Sequence, residues 1–395
     1  MDILREVEGA EQELIALRRS FHEHPETGWH ETGTQKMIEE ALSAAGIPYR
    51  EVCGTGVIAE IAGRNSGDKI LGIRSDIDAL PVQEETALPF SSVNDGVMHA
   101  CGHDAHMAVL LETGKILNAH REDLKVRVRL IFQPAEEFIE DSGAYHMKDL
   151  KEVTECTRLI GLHIFSAIPA GKASIEEGPI MASADTFDVE IRGKGGHGAH
   201  PELCIDPIAA GVMFHEGVSR FLARRHNPIS PAVISITSFQ AGTTSNVIPD
   251  TAHLSGTTRA SDPELRDRFA EILGRIASAV EAETGAGVKV DYHWGCPVTV
   301  NDPAAARTGR RAAEEVFGAE NVIHVPFSMI GEDFSKYRNE KAFLLLGGGY
   351  RDPSRVFAQH SPHFVIDESV LKYGPAYFLQ YVRDWEEELF GESRL

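Results

Sequence analysis

Short apolar runs at 57–61, 70–73, 126–132, 159–162 and 342–346 recur near the two ends of this chain, and each stops at polar residues. Runs of this length, with a helix-like stretch at 105–119 between them, read as fully buried strands of an α/β sheet. The residues just beyond the strands are more telling. The run at 70–73 leads into Arg-Ser-Asp-Ile-Asp (74–78), the run at 126–132 into Gln-Pro-Ala-Glu-Glu (133–137), and the run at 159–162 ends on His163. Ligands of open α/β sheets sit beyond the carboxyl ends of the strands. Polar clusters that arrive there in turn predict one site.

The rest of the chain divides by hydrophobic period. Residues 2–24 have a helical pattern that Pro25 ends, and a second helix is predicted over 32–45 before Gly46. From Ala184 the character changes. Phe187, Val189 and Ile191 alternate with polar neighbours, a helix begins after Pro207, and strands are predicted at 233–239 and 251–258. Leu265, Phe269, Ile272, Leu273, Ile276 and Val280 then mark one helix face, and Val288, Val290, Tyr292 and Trp294 alternate again. The order β-α-β-β-α-β is that of a ferredoxin-like split sandwich. The α/β pattern resumes after Pro297. The expected division is a discontinuous α/β domain of residues 1–183 and 297–395, with an α+β domain of residues 184–296 inserted.

Charge narrows the function classes. Lys and Arg number 38 against 60 Asp and Glu, a formal net charge of −22. No basic stripe is available to neutralise phosphates, so nucleic acid is an unsuitable partner, and an anionic membrane surface is disfavoured for the same reason. No run of 18 apolar residues predicts a membrane span, and Glu6, Glu8, Glu11 and Glu13 break any signal-peptide layout. The 5 cysteines are odd in number and widely spaced, which argues against a disulfide framework and for a reducing cytoplasm.

The densest chemistry is His99-Ala-Cys101-Gly-His103-Asp104-Ala-His106, just before the helix-like stretch. A cysteine at a helix start is expected to have a lowered pKa. A thiolate and an imidazole two residues apart, across a glycine, are able to meet on a metal. A structural cysteine and a Cys–His nucleophile remain alternatives. Glu136 and Glu137 are adjacent carboxylates whose side chains should diverge, one to ligate a metal and one to take a proton from water, unless they only begin a helix. His163 needs a carboxylate, a carbonyl or a metal, and His360 competes with His363 in His-Ser-Pro-His. Together, Cys101, His103, Glu137, His163 and His360 form a donor set suited to zinc-like ions. Two four-coordinate ions need eight bonds. A bridging thiolate, four terminal ligands and a bridging hydroxide supply them.

These motifs, with Glu84, Gly195-Gly-His197, Ser245-Asn-Val-Ile-Pro249 and His360-Ser-Pro, occur in order along nearly the whole chain. The combination resembles the peptidase M20 amidohydrolases, in particular the branch of hippurate hydrolases and auxin-conjugate hydrolases. The resemblance implies a dinuclear α/β catalytic domain, with a mixed sheet flanked by helices, and a ferredoxin-like lid or dimerisation domain. It implies Cys101, His103, Glu137, His163 and His360 as metal ligands and Glu136 as general base. Asp76 would stand beside the metals and orient a ligand. His197 would reach the scissile carbonyl, and Asn246 and Arg259 would hold the substrate's carboxylate. The sequence departs from many relatives after His197, where it reads Gly-Ala-His-Pro-Glu (198–202), and this leaves substrate choice open.

The expected activity is metal-dependent hydrolysis of the amide bond of an N-acyl amino acid or small conjugate. Zinc or manganese would fill the sites, with cobalt or nickel as further occupants. A homodimer or higher homo-oligomer through the lid is implied. A dipeptidase or aminoacylase of the same fold, a thiol hydrolase using Cys101 and a non-catalytic metal- or ligand-binding protein are the rival readings.

Overall fold

In a computed structural model that describes residues 2–64, 66–393 and 395, the chain packs as two compact units. One is Met1–Gly178 with Val300–Pro326 and Lys336–Leu395. The other is Pro179–Thr299 with Phe327–Ser335. The second unit thus takes a few residues more on each side than 184–296, together with a loop from further along the chain.

The first unit is built on a seven-stranded sheet. Its order is Tyr49–Val52, Gly56–Ile61, Arg127–Gln133, Ile70–Asp76, Arg158–Pro169, Glu340–Gly349 and Ala173–Ser174. The four inner strands from Arg127–Gln133 to Glu340–Gly349 run parallel, and the outer strands are antiparallel to their neighbours. Every residue of Ile70–Asp76 is buried, which is why its sequence shows no alternation. The helix His103–Ala119 is buried almost all round, with Met107, Leu110 and Leu117 fully enclosed. Each such side chain contributes about 1.5–3 kcal/mol when it leaves water.

The helix Ile3–Glu23 begins at Asp2, whose carboxylate accepts the Arg5 amide at 3.3 Å. Its inner face carries Val7, Leu14 and Phe21, and also the buried Arg18 and His22. Both reach the Asp104 carboxylate, Arg18 Nε at 2.8 Å and His22 Nδ1 at 2.7 Å. Such a buried ion cluster adds little net stability against an apolar equivalent. Here it joins Ile3–Glu23 to the first turn of His103–Ala119, the turn that carries site residues.

The second unit has a four-stranded antiparallel sheet in the order Ala232–Ala241, Thr251–Ala260, Ala184–Arg192 and Gly287–Cys296. Numbered along the chain, the strands lie second, third, first, fourth, the ferredoxin-like arrangement. Its helices start with matching devices. Asp206 accepts the Ile208 amide at 2.8 Å before Pro207–Arg224, and Asp262 accepts the Leu265 amide at 2.8 Å before Pro263–Thr284. Proline at the first helical position costs no hydrogen bond there. Phe187, Val189, Ile191, Phe214, Leu254 and Phe269 form the core of this unit. Among the described residues, no helix is long and apolar enough to cross a membrane.

Candidate metal centre

Cys101 and His103 are placed by the glycine between them. The helix starts at His103, two residues before the stretch predicted from sequence, because Gly102 turns the chain at φ +96. A Cβ on Gly102 would lie 2.5 Å from Ile164 Cγ2, so both conformation and space require glycine. This close approach leaves Cys101 Sγ 3.3 Å from His163 Nε2.

His163 does not end its strand as predicted. Arg158–Pro169 continues beyond it because Glu340–Gly349 pairs alongside, from Arg158 to Pro169. The neighbour on the other side, Ile70–Asp76, is paired only as far as Arg74 opposite Gly161. Past that point the Ile164 amide donates to Nε2 of His106 at 2.9 Å, and a side chain takes over from the ladder.

The tautomers are set by the partners. His163 donates through Nδ1 to the Ile164 carbonyl at 2.8 Å, and His103 donates through Nδ1 to the Asp78 carbonyl at 2.9 Å. Each ring therefore turns its Nε2 away from the backbone, where it binds an ion once deprotonated. Burial opposes the charged His103 imidazole, yet Asp76 and Asp78 raise it well above its usual range. His103 Nε2 is buried and has no hydrogen-bond partner. A buried ring nitrogen of this kind is costly unless something binds it, and imidazoles that ligate metals are held through the opposite N–H in this way. On the other side of Cys101, Glu137 Oε1 lies 3.3 Å from His360 Nε2. His360 sits at φ +66, with its amide donating to the Ala100 carbonyl at 2.8 Å. His363 turns elsewhere, to Glu85 Oε2 at 3.4 Å.

The donor atoms of Cys101, His103 and His163 lie within 4.8 Å of one another, as do those of Cys101, Glu137 and His360, and those of His103, Glu136 and Glu137. The clusters overlap at Cys101, His103 and Glu137. Sulfur, imidazole and carboxylate donors shared between adjacent clusters fit a pair of divalent ions, and the orphaned His103 nitrogen fits the same occupant.

Glu136 and Glu137 do not diverge as an extended chain would make them. They lie in a turn, and Ala135 before them is at φ +50. Glu136 Oε2 comes within 4.0 Å of His103 Nε2. Asp78 organises this turn, since its carboxylate oxygens accept the amides of Glu136 and Glu137 at 3.0 Å each. The Asp76 carboxylate, expected to stand beside the metals, accepts hydrogen bonds from His106 Nδ1 at 2.7 Å and from Arg74 Nη1 at 2.7 Å. Its Oδ2 stands 3.8 Å from the free nitrogen of His103. The residues that sequence reasoning passed over are thus Asp78 and His106. Each had a signal, Asp78 at two residues from Asp76 beyond a strand end and His106 one helical turn from His103.

Electrostatics reverses one expectation. Burial pushes the Cys101 thiol well above its usual range, and the Glu137 carboxylate adds to the effect, so the helix start does not lower it. Burial works against ionised Asp76 too, yet His103, His106 and Arg74 together hold its carboxyl well below the usual range. His163 is kept neutral, first by burial and then by the neighbouring His106. The adjacent Glu137 carboxylate raises His360.

The remaining candidates belong to the second unit. His197 is exposed on the short strand Gly196–His197, which pairs with Val247–Ile248, and its Nδ1 accepts the Ala199 amide at 3.1 Å. Asn246 is adjacent, its carbonyl accepting the Gly198 amide at 2.9 Å. Arg259 lies half-buried on Thr251–Ala260 and donates through Nη1 to the Thr258 carbonyl at 2.8 Å.

Comparison with known proteins gives the family. The sequence profile of Peptidase family M20/M25/M40 matches residues 72–384. An N-acetylcysteine deacetylase of Bacillus subtilis (strain 168) is 39% identical over 371 residues, covering 93% of this chain and 95% of the relative. An N-acyl-L-amino acid amidohydrolase of Geobacillus stearothermophilus is 37% identical over 79% of this chain and 85% of its own. Among solved structures, Bacillus subtilis YXEP protein, a dinuclear metal binding peptidase from the M20 family, superposes with a TM-score of 0.82 at 37% identity. That match covers 95% of this chain and 98% of the other.

Proposed function

The chain belongs to peptidase family M20/M25/M40, and from that premise we propose that it hydrolyses the amide bond of an N-acyl amino acid or similar small conjugate, releasing a carboxylic acid and an amine. The observation that carries the reading is the overlap of donor clusters at Cys101, His103 and Glu137 with Glu136 alongside. The names of the deacetylase and amidohydrolase relatives support the substrate class.

Cys101, His103, Glu137, His163 and His360 would hold two divalent ions. When bound, such ions supply Lewis acidity to a carbonyl and lower the pKa of water. Glu136 is the general base. It takes the proton of the attacking water and returns it to the leaving amine. His197 donates to the oxyanion of the tetrahedral intermediate, and Arg259 with Asn246 receives the substrate's carboxylate. Zinc or manganese suits the donor set, and cobalt or nickel binds the same groups. The outer strands Ala232–Ala241 and Gly287–Cys296 leave sheet edges that a second copy of the chain would cover, so the working form is a homodimer or larger homo-oligomer. The free thiols of all five cysteines suit the reducing cytoplasm.

The test is a panel of N-acetyl, N-benzoyl, indole-acetyl and long-chain acyl amino acids, assayed for amine release before and after chelation. Activity on one class, lost with chelator and restored by zinc or manganese, is the expected result. Activity that survives full metal removal, or no release from any member with metals added, would overturn the reading.

A further inference from the structure

Glu31 stands at the N-cap of the helix Thr32–Ala44 but does not cap it. That task falls to Glu26, whose carboxylate accepts the Gly33 amide at 3.1 Å, the Thr34 amide at 2.8 Å and the Thr34 hydroxyl at 3.0 Å. The Glu31 side chain is buried and serves a turn 104 residues away. Its Oε1 accepts the Ala135 amide at 2.8 Å, and its Oε2 accepts the Thr55 hydroxyl at 2.6 Å. Ala135 is left-handed, at φ +50, where side-chain-bearing residues are uncommon. The next two amides, of Glu136 and Glu137, go to Asp78. Three successive amides are therefore held by two buried carboxylates. Residues near Glu31 also touch the chain just after this turn. Trp29 Nε1 donates to the Asp141 carbonyl at 3.0 Å, and a Cβ on Gly28 would lie 2.6 Å from the Phe138 ring.

We propose that Glu31 is a positioning residue: with Asp78 it clamps the amides of residues 135–137 and so sets where the Glu136 and Glu137 carboxylates point. Its effect on turnover rests on the catalytic role of Glu136 and the ligand role of Glu137, whereas the clamp itself does not. Burial raises the Glu31 carboxyl, so Glu31→Gln is a mild change. The amide oxygen still accepts the Ala135 N–H, and the Thr55 hydroxyl rotates to accept from the new NH2. Glu31→Ala removes the acceptor.

The experiment measures hydrogen exchange at the Ala135 amide in wild type, Glu31→Gln and Glu31→Ala, with kcat and KM on the best N-acyl amino acid. In Glu31→Ala, exchange at Ala135 should rise about tenfold, as for a buried amide left without its acceptor. Its kcat should fall about ten- to a hundredfold with KM changing far less, the pattern of a misplaced catalytic group. Glu31→Gln should stay close to wild type in both. Unchanged exchange in folded Glu31→Ala overturns the clamp, and faster exchange with unchanged kcat overturns the positioning role. Should Glu31→Ala not fold, the wild type decides. An Ala135 amide that exchanges at the free-peptide rate overturns the proposal, and a protected one, matched by Glu31→Gln, supports it. A wild type inactive on every N-acyl amino acid refutes the proposed function while the exchange rates still decide the clamp.

Discussion

Asp78 accepts a hydrogen bond from His103 Nδ1 on its backbone carbonyl at 2.9 Å, while its carboxylate accepts the Glu136 and Glu137 amides and places Oδ1 3.4 Å from the same His103 nitrogen. One residue therefore sets the tautomer of an imidazole and the direction of two carboxylates by different atoms. Asp78→Ala keeps the carbonyl bond to His103 but removes the carboxylate beside Nδ1 and leaves two amides without their acceptor, at about 1–3 kcal/mol each. Metal affinity and kcat should both fall about ten- to a hundredfold, as for other groups that support ligands. Metal content after gel filtration, with kinetics, measures this. A variant that keeps full metal and wild-type turnover would show the carboxylate to be dispensable.

Glu136 and Glu137 are distinguished by what they lose. Glu136→Gln keeps the shape but cannot take a proton, so kcat should drop at least about a hundredfold with metal retained. Glu137→Gln should release metal, because Glu137 shares clusters with Cys101, His360 and His103. If Glu136→Gln lost its metal and Glu137→Gln kept it, the two roles would be exchanged.

His197 is tested by complementation. Inactive Glu136→Gln and His197→Ala proteins are mixed under conditions that exchange subunits of a dimer. If His197 serves the partner's site, half the dimers are mixed and each regains one of two sites, so activity should approach about a quarter of wild type. No recovery despite verified exchange would mean that His197 serves its own chain or none.

Lys341 supplies a pH dependence of stability. It lies buried on Glu340–Gly349, donates to the Tyr337 carbonyl, and burial lowers its ammonium to about 8. In the unfolded chain a lysine titrates near ~10.4. Below about pH 8 both states are protonated and the cost of burying the charge is felt in full. Between the two values the unfolded chain holds the extra proton, so stability rises with pH. Lys341→Met should lack this rise. Urea unfolding of metal-free protein at the two ends of the window should show wild type gaining on the variant by roughly 2–3 kcal/mol. A constant difference between the two would contradict it.

The local patterns carried much of the fold. The strand Ile70–Asp76 is written in a short unbroken apolar run and the helix Pro263–Thr284 in the burial period of its residues, as is the β-α-β-β-α-β order of the second unit. The family resemblance and the donor types at the strand ends were legible for the same reason, since they are properties of short segments. Tertiary structure decided the division of labour. That the Asp78 carbonyl holds His103, that His106 closes the ladder at Ile164, and that Glu31 holds Ala135 all depend on hydrogen bonds between residues 25 to 104 positions apart. The Cys101 thiol went opposite to expectation because burial and two converging carboxylates outweigh a helix start. A carboxylate's partner and a thiol's pKa are set by which groups packing brings within a few ångströms, and a one-dimensional pattern does not contain those distances.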